Sequence, residues 1–208
     1  MNLANKLTIF RMILVPVFVV VGYIGMLGGI TGEFLEIPIY LWIMNIIFIV
    51  ASITDKLDGY IARSRNMVTT FGKFLDPLAD KILVLSALVM LVEFGKIPAW
   101  IPIIVLAREF LVSGYRLVAV EKGGKVMAAS VWGKLKTVTQ MIAIILVFID
   151  KNNFADCISY FGGNMELSLG SLILNIITTA LLTISVIATI FSGYDYLKKG
   201  KDLFKDTK

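Results

Sequence analysis

There is no histidine anywhere in the 208 residues, and there is a single cysteine, Cys157. The first absence removes imidazole from the chemistry: no histidine general base and no histidine-ligated metal. The second removes any internal disulfide, so no covalent staple holds the fold. Charge is also scarce, at 17% of residues against 58% hydrophobic. That balance excludes an ordinary soluble domain and points to a membrane protein. No repeat, low-complexity tract or second domain is marked, so residues 1–208 read as one membrane domain.

A helix needs about 20 apolar residues to cross the hydrocarbon core. Six runs qualify, at roughly 10–30, 37–54, 74–94, 97–115, 137–150 (extended upstream through the 130s) and 169–192. The expected architecture is all-α: six transmembrane helices preceded by a short N-terminal helix in the interface, "NLANKLTIFR", which mixes apolar side chains with Asn5, Thr8 and Arg11. "GGITGEFLEIP" is a hairpin-like outer segment, and the tail "YLKKGKDLFKDTK" continues the sixth span toward anionic lipid heads. Six spans put both termini on one side. Every lysine and arginine except Lys96 and Lys151 then falls on that side, so it is cytoplasmic and the protein sits in the cell membrane. Membrane lipids account for this positive charge, and no nucleic-acid partner is expected.

What is present is concentrated in "DKLDGYIARSRNMVTTFGKFLDPLAD". Asp55 and Asp58 are followed on nearly the same helical face by Gly59 and Ala62, while Gly72, Asp76 and Asp80 share a face at four-residue spacing. Two helices facing one another would bring four carboxylates together. Like charges raise one another's pKa, and poor solvation raises it further. A pair of hard divalent cations removes that conflict, because Mg²⁺, Mn²⁺ and Ca²⁺ prefer oxygen ligands. Two such ions about 4 Å apart suit in-line displacement at phosphorus. Gly59 allows close approach to the backbone, and Arg63 can fork onto phosphate. Solvated acids at span ends, paired with Lys56 or Lys81, are the bland alternative; it does not explain four acids in phase with two glycines.

The stretch has the form D-x2-D-G-x2-A-R-x8-G-x3-D-x3-D and resembles the signature of the CDP-alcohol phosphotransferases, integral membrane enzymes of phospholipid synthesis. The resemblance implies the six-span fold and attack of an alcohol on the lipid-linked phosphorus of a CDP-lipid, with release of CMP. It implies that Asp55, Asp58, Asp76 and Asp80 hold two ions, Mg²⁺ or Mn²⁺, and that Asp80 is the general base. It places Gly59, Ala62 and Arg63 around the CDP moiety together with Asp58 and Gly72, and Asn5, Thr8 and Arg11 near the nucleotide or pocket mouth. It also implies a homodimer.

The acceptor follows from the remaining cations. Arg108 and Arg116 share a face of the fourth span, and Lys134 and Lys136 open the fifth about 200° apart, so only one of them faces a pocket. An Arg108–Glu109 pair that merely fixes packing, and lysines that snorkel to lipid, are the alternatives. Several cations near a phosphotransfer site favour a phosphorylated acceptor over serine, choline or ethanolamine. "NKLTIFRMILVPVF", "REFLVSGYRLVAVEKG" and "GKLKTVTQ" resemble bacterial members of the family that use sn-glycerol 3-phosphate. That resemblance implies CDP-diacylglycerol and glycerol 3-phosphate as substrates and phosphatidylglycerophosphate as product. Inositol phosphate or serine as acceptor is the rival within the class. A divalent-cation or proton-coupled transporter is the rival outside it, although the acids gather at one surface and no polar path continues from them.

Overall fold

The structure, a computed structural model, describes the backbone over residues 3–64, 70–121 and 131–204, and side chains over 7–55, 78–119 and 131–198. It contains seven helices and one two-stranded hairpin among those residues. The helices group into two compact units, Met1–Ile97 with Ile145–Asn153, and Pro98–Ile144 with Phe154–Lys208.

The first unit holds α1 (Leu3–Met26), the strands β1 (Glu33–Phe34) and β2 (Ile37–Pro38), α2 (Ile39–Ser64), α3 (Thr70–Glu93) and the end of α5 (Val131–Ile149). α1 packs on both α2 and α3. Its core includes Phe18, Met44, Phe48, Ala51, Leu88 and Leu91, all buried. Phe148 of α5 meets Phe18 edge-on, with ring centroids 5.9 Å apart. Close approach depends on missing side chains: a Cβ at Gly22 would lie 2.5 Å from Met90 Cε, and one at Gly25 would lie 2.5 Å from Tyr40 Cβ. α1 is closed by Gly28, two residues past its end, whose φ of +80° lets the amides of Gly28 and Gly29 return to the carbonyls of Gly25 and Ile24. This is the Schellman closure that a left-handed residue permits.

The separate interfacial helix expected before the first span is not present. α1 runs without a break from Leu3 through Arg11 and Pro16 to Met26. Arg11, expected on a stripe of that interfacial helix, lies buried inside the continuous α1 and bonded to a carboxylate. The hairpin at 33–38 does form, in the register Glu33↔Pro38 and Phe34↔Ile37. Leu35 and Glu36 both take positive φ, 56° and 61°, the pattern of a two-residue type I′ turn. Trp42 Nε1 ties the hairpin to α2 by donating to the Phe34 carbonyl at 3.1 Å. Lys96 Nζ donates to the carbonyls of Asp150 and Lys151, each at 2.8 Å.

The second unit holds α4 (Trp100–Glu121), the start of α5, α6 (Asp156–Phe161) and α7 (Leu169–Phe204). α4 packs on α7, where Tyr115 and Tyr196 meet with ring centroids 6.1 Å apart. Trp132 of α5 stacks on Phe191 of α7 at 5.0 Å. α6 is a short helix of six residues between α5 and α7. Asn175 Oδ1 of α7 anchors it by accepting from the Cys157 amide at 2.8 Å.

Among the described residues, three helices are long and apolar enough to cross a membrane: Leu7–Met26, Val131–Ile149 and Leu169–Lys198. The apolar part of α2, Ile39–Asp55, is shorter. α3 and α4 have 24 and 22 residues, enough length to cross, but charge interrupts them at Asp76, Asp80 and Lys81 and at Arg108, Glu109 and Arg116. Large apolar side chains such as Ile13, Val20, Ile173 and Ile187 are exposed, the surface a bilayer would cover. Hydroxyls on these helices bond their own backbone, as Thr139 does to Leu135 and Thr189 to Ser185, which satisfies them without water.

Candidate active site

Both halves of the acidic signature lie on helices of the first unit. Asp55, Asp58, Gly59, Ala62 and Arg63 occupy the last turns of α2, and Gly72, Asp76 and Asp80 the first turns of α3. α2 and α3 pack against each other. Asp55 and Asp80 are both half-buried. The side chains of Asn5, Asp58, Ala62, Arg63 and Asp76, with Gly59 and Gly72, lie outside the residues whose burial and contacts are described.

Arg11 and Thr8, one turn apart on α1, are both buried, Arg11 completely. Arg11 Nη1 donates to Asp55 Oδ1 at 2.5 Å, a charge-assisted bond between α1 and α2. A buried guanidinium cannot lose its proton, so it requires such a partner. The donor set fits a hard divalent cation: carboxylate oxygens and, in a chain without histidine, no imidazole. A carboxylate accepts on both oxygens, so Arg11 at Oδ1 does not exhaust Asp55. Among the described residues, which do not include the side chains of Asp58 and Asp76, no three acidic, histidine or cysteine side chains are assembled as a metal site.

The cations proposed for the acceptor lie in the second unit and fall into place differently. Glu109 Oε1 accepts from Arg108 Nη1 at 2.9 Å and from Lys136 Nζ at 2.6 Å. Arg108 Nη2 donates to Ser192 Oγ of α7 at 2.6 Å. Arg116 Nη2 donates to Tyr196 Oη at 3.1 Å. The guanidinium carbons of Arg108 and Arg116 lie 5.8 and 5.9 Å from the Tyr196 ring centroid, within cation–π range. Gly193, between the two α7 contacts, leaves room for the Arg108 stem, with its would-be Cβ 3.6 Å from Arg108 Cγ.

Lys136 is buried in this cluster, whereas Lys134 is exposed. The 200° separation read from the sequence is therefore divided between them, one inward and one outward. The Arg108–Glu109 pair exists, but it is not a closed packing pair, because one carboxylate serves two cations and Arg116 adds a third. The cluster gathers three cations, Arg108, Arg116 and Lys136, partly out of water, with Glu109 shared by two of them. Ser192 and Tyr196 were not found from sequence. Their signal was their i, i+4 spacing on α7, which is legible only once α7 is known to face α4.

The chain belongs to the CDP-alcohol phosphatidyltransferase family, whose model matches residues 1–191. It is an enzyme of that transferase class. A Bacillus subtilis (strain 168) relative, a CDP-diacylglycerol–glycerol-3-phosphate 3-phosphatidyltransferase, is 39% identical over 98% of this chain and 97% of its own length. A Haemophilus influenzae relative of the same name is 37% identical over 99% and 96%. A probable phosphatidylglycerophosphate synthase of Mycobacterium tuberculosis is 33% identical over 95% and 81%.

Proposed function

We propose that the protein transfers the phosphatidyl group of CDP-diacylglycerol to sn-glycerol 3-phosphate, giving phosphatidylglycerophosphate and CMP. The observation that carries the acceptor assignment is the cluster on α4, α5 and α7, in which Arg108 and Lys136 share Glu109 while Arg116 leans on Tyr196. Three cations gathered around a carboxylate, a serine and a tyrosine suit a small phosphorylated alcohol better than serine, whose own ammonium they would repel. The full-length similarity to relatives named for this reaction supports the same reading.

In the reaction an acceptor hydroxyl oxygen forms a bond to the phosphorus that carries diacylglycerol. The bond from that phosphorus to the bridging pyrophosphate oxygen breaks, and CMP leaves with the electron pair. The hydroxyl proton passes to Asp80, a base valuable for its position rather than its strength. Asp55, Asp58, Asp76 and Asp80 would hold two divalent ions, Mg²⁺ or Mn²⁺. When bound, such ions neutralise charge on the pyrophosphate and on the attacking and leaving oxygens. Gly59, Ala62, Arg63 and Gly72, with Asn5 and Thr8 from α1, would seat the CDP group. Arg11 holds Asp55 in its rotamer, a role typical of groups behind a metal ligand. Six spans, both termini on the cytoplasmic side and a homodimer complete the reading.

Purified protein with Mn²⁺ or Mg²⁺ should release CMP from CDP-diacylglycerol only when an acceptor is added. Across a panel of acceptors, glycerol 3-phosphate should be used best. Turnover with serine or inositol phosphate but not with glycerol 3-phosphate would overturn the acceptor assignment and leave the reaction class standing.

A further inference from the structure

Two buried donors in the second unit have no acceptor among the described residues: Arg108 Nε and Gln140 Nε2. Arg108 spends Nη1 on Glu109 and Nη2 on Ser192, so Nε is the part of its fork left over. Gln140 is 2% exposed and stands one turn beyond Lys136 on α5, on the same face. A buried N–H without an acceptor is costly, so a native fold retains one where a ligand completes it. Both orphans are donors, which calls for a ligand rich in acceptor oxygens. They differ in charge. The guanidinium suits a phosphate, while a neutral amide suits a hydroxyl, with which it can exchange donor and acceptor roles. Four residues of helix advance about 6 Å. In sn-glycerol 3-phosphate the secondary hydroxyl is on the carbon next to the one that carries the phosphate, so both groups fall within reach of side chains one helical turn apart.

We infer that Gln140 is a specificity-determining residue that reads the non-reacting secondary hydroxyl of the acceptor while Arg108 and Lys136 hold its phosphate. The inference rests on the acceptor assignment above and deepens it. The primary hydroxyl remains the attacking group, and Gln140 takes no part in bond making.

The test compares sn-glycerol 3-phosphate with 3-hydroxypropyl phosphate, which keeps the primary hydroxyl and the phosphate and lacks only the secondary hydroxyl. Wild-type protein should prefer glycerol 3-phosphate in kcat/KM by about 10- to 100-fold, the worth of one hydrogen bond to a buried polar group. Gln140→Met keeps the side-chain length and should lose that preference. It should fall on glycerol 3-phosphate and hold its rate on 3-hydroxypropyl phosphate. An equal fall on both acceptors would mean a packing role and overturn the inference, as would no change on either. Wild-type protein that does not distinguish the two acceptors would overturn it without any variant and leave the phosphate assignment intact. Wild-type protein that uses neither would remove both readings.

Discussion

A guanidinium placed out of water must keep its charge and therefore its partner, and Arg11 keeps Asp55 at 2.5 Å. Asp55 retains 32% of its side-chain exposure, so the pair lies between two limits. An exposed pair is worth up to about 1 kcal/mol, and breaking a fully buried one costs about 3–5 kcal/mol. Arg11→Met should lower unfolding stability in detergent by an amount between those limits, and Arg11→Lys by less; unchanged stability in both would mean the pair does not act. Asp→Asn at Asp58, Asp76 or Asp80 should leave a folded protein whose CMP release falls roughly 10³-fold or more. Near-normal turnover in any of the three would count against the metal assignment. Arg108→Ala and Arg116→Ala should raise the KM for glycerol 3-phosphate more than that for CDP-diacylglycerol, measured by varying each substrate in turn. The acids were legible because carboxylate spacing is a local property of a helix. Arg11's partner lies 44 residues away, and Ser192 and Tyr196 lie 84 and 80 residues from the arginines they meet, beyond any local pattern.

At the level of elements, long apolar runs announced the helices, and their ends carry the usual closures. α3 stops where Gly95, at φ +69°, lets the amides of Gly95 and Lys96 return to the carbonyls of Val92 and Leu91. The break expected near residue 10 is absent because α1 packs on α2 and α3 as one continuous helix, whose mixed polar start is a buried face rather than a separate interfacial segment. α6 escaped notice because six residues give too little periodicity to read. The α1–α2 contact is held open to backbone approach by Gly25 against Tyr40. Gly25→Val should therefore destabilise the first unit by about 1–3 kcal/mol through overpacking, seen as a lower unfolding midpoint. At the hairpin, the hydrogen bond from Lys151 and then its charge hold the Glu36 carboxyl below its ordinary 4.5. A lowered folded-state value means the pair's contribution is present above about pH 4.5 and disappears as pH falls through the folded value. Lys151→Met should return Glu36 to the ordinary carboxylate range in an NMR titration.

For the whole molecule, composition alone announced a membrane protein, and the exposed apolar faces of α1 and α7 agree with it. α7 spans 36 residues, about 54 Å, more than the roughly 30 Å of hydrocarbon, so its basic end extends beyond the core. With Cys157→Ser as background, a cysteine placed at Lys208 should react with an impermeant thiol reagent only from the cytoplasmic side. Labelling from outside would reverse the topology. The central claim, phosphatidyl transfer onto glycerol 3-phosphate, is tested most directly by mass spectrometry of the lipid formed from CDP-diacylglycerol, glycerol 3-phosphate and Mn²⁺ by the purified protein. The predicted result is phosphatidylglycerophosphate in equal amount to CMP. Phosphatidate formed at the same rate with or without glycerol 3-phosphate would contradict it.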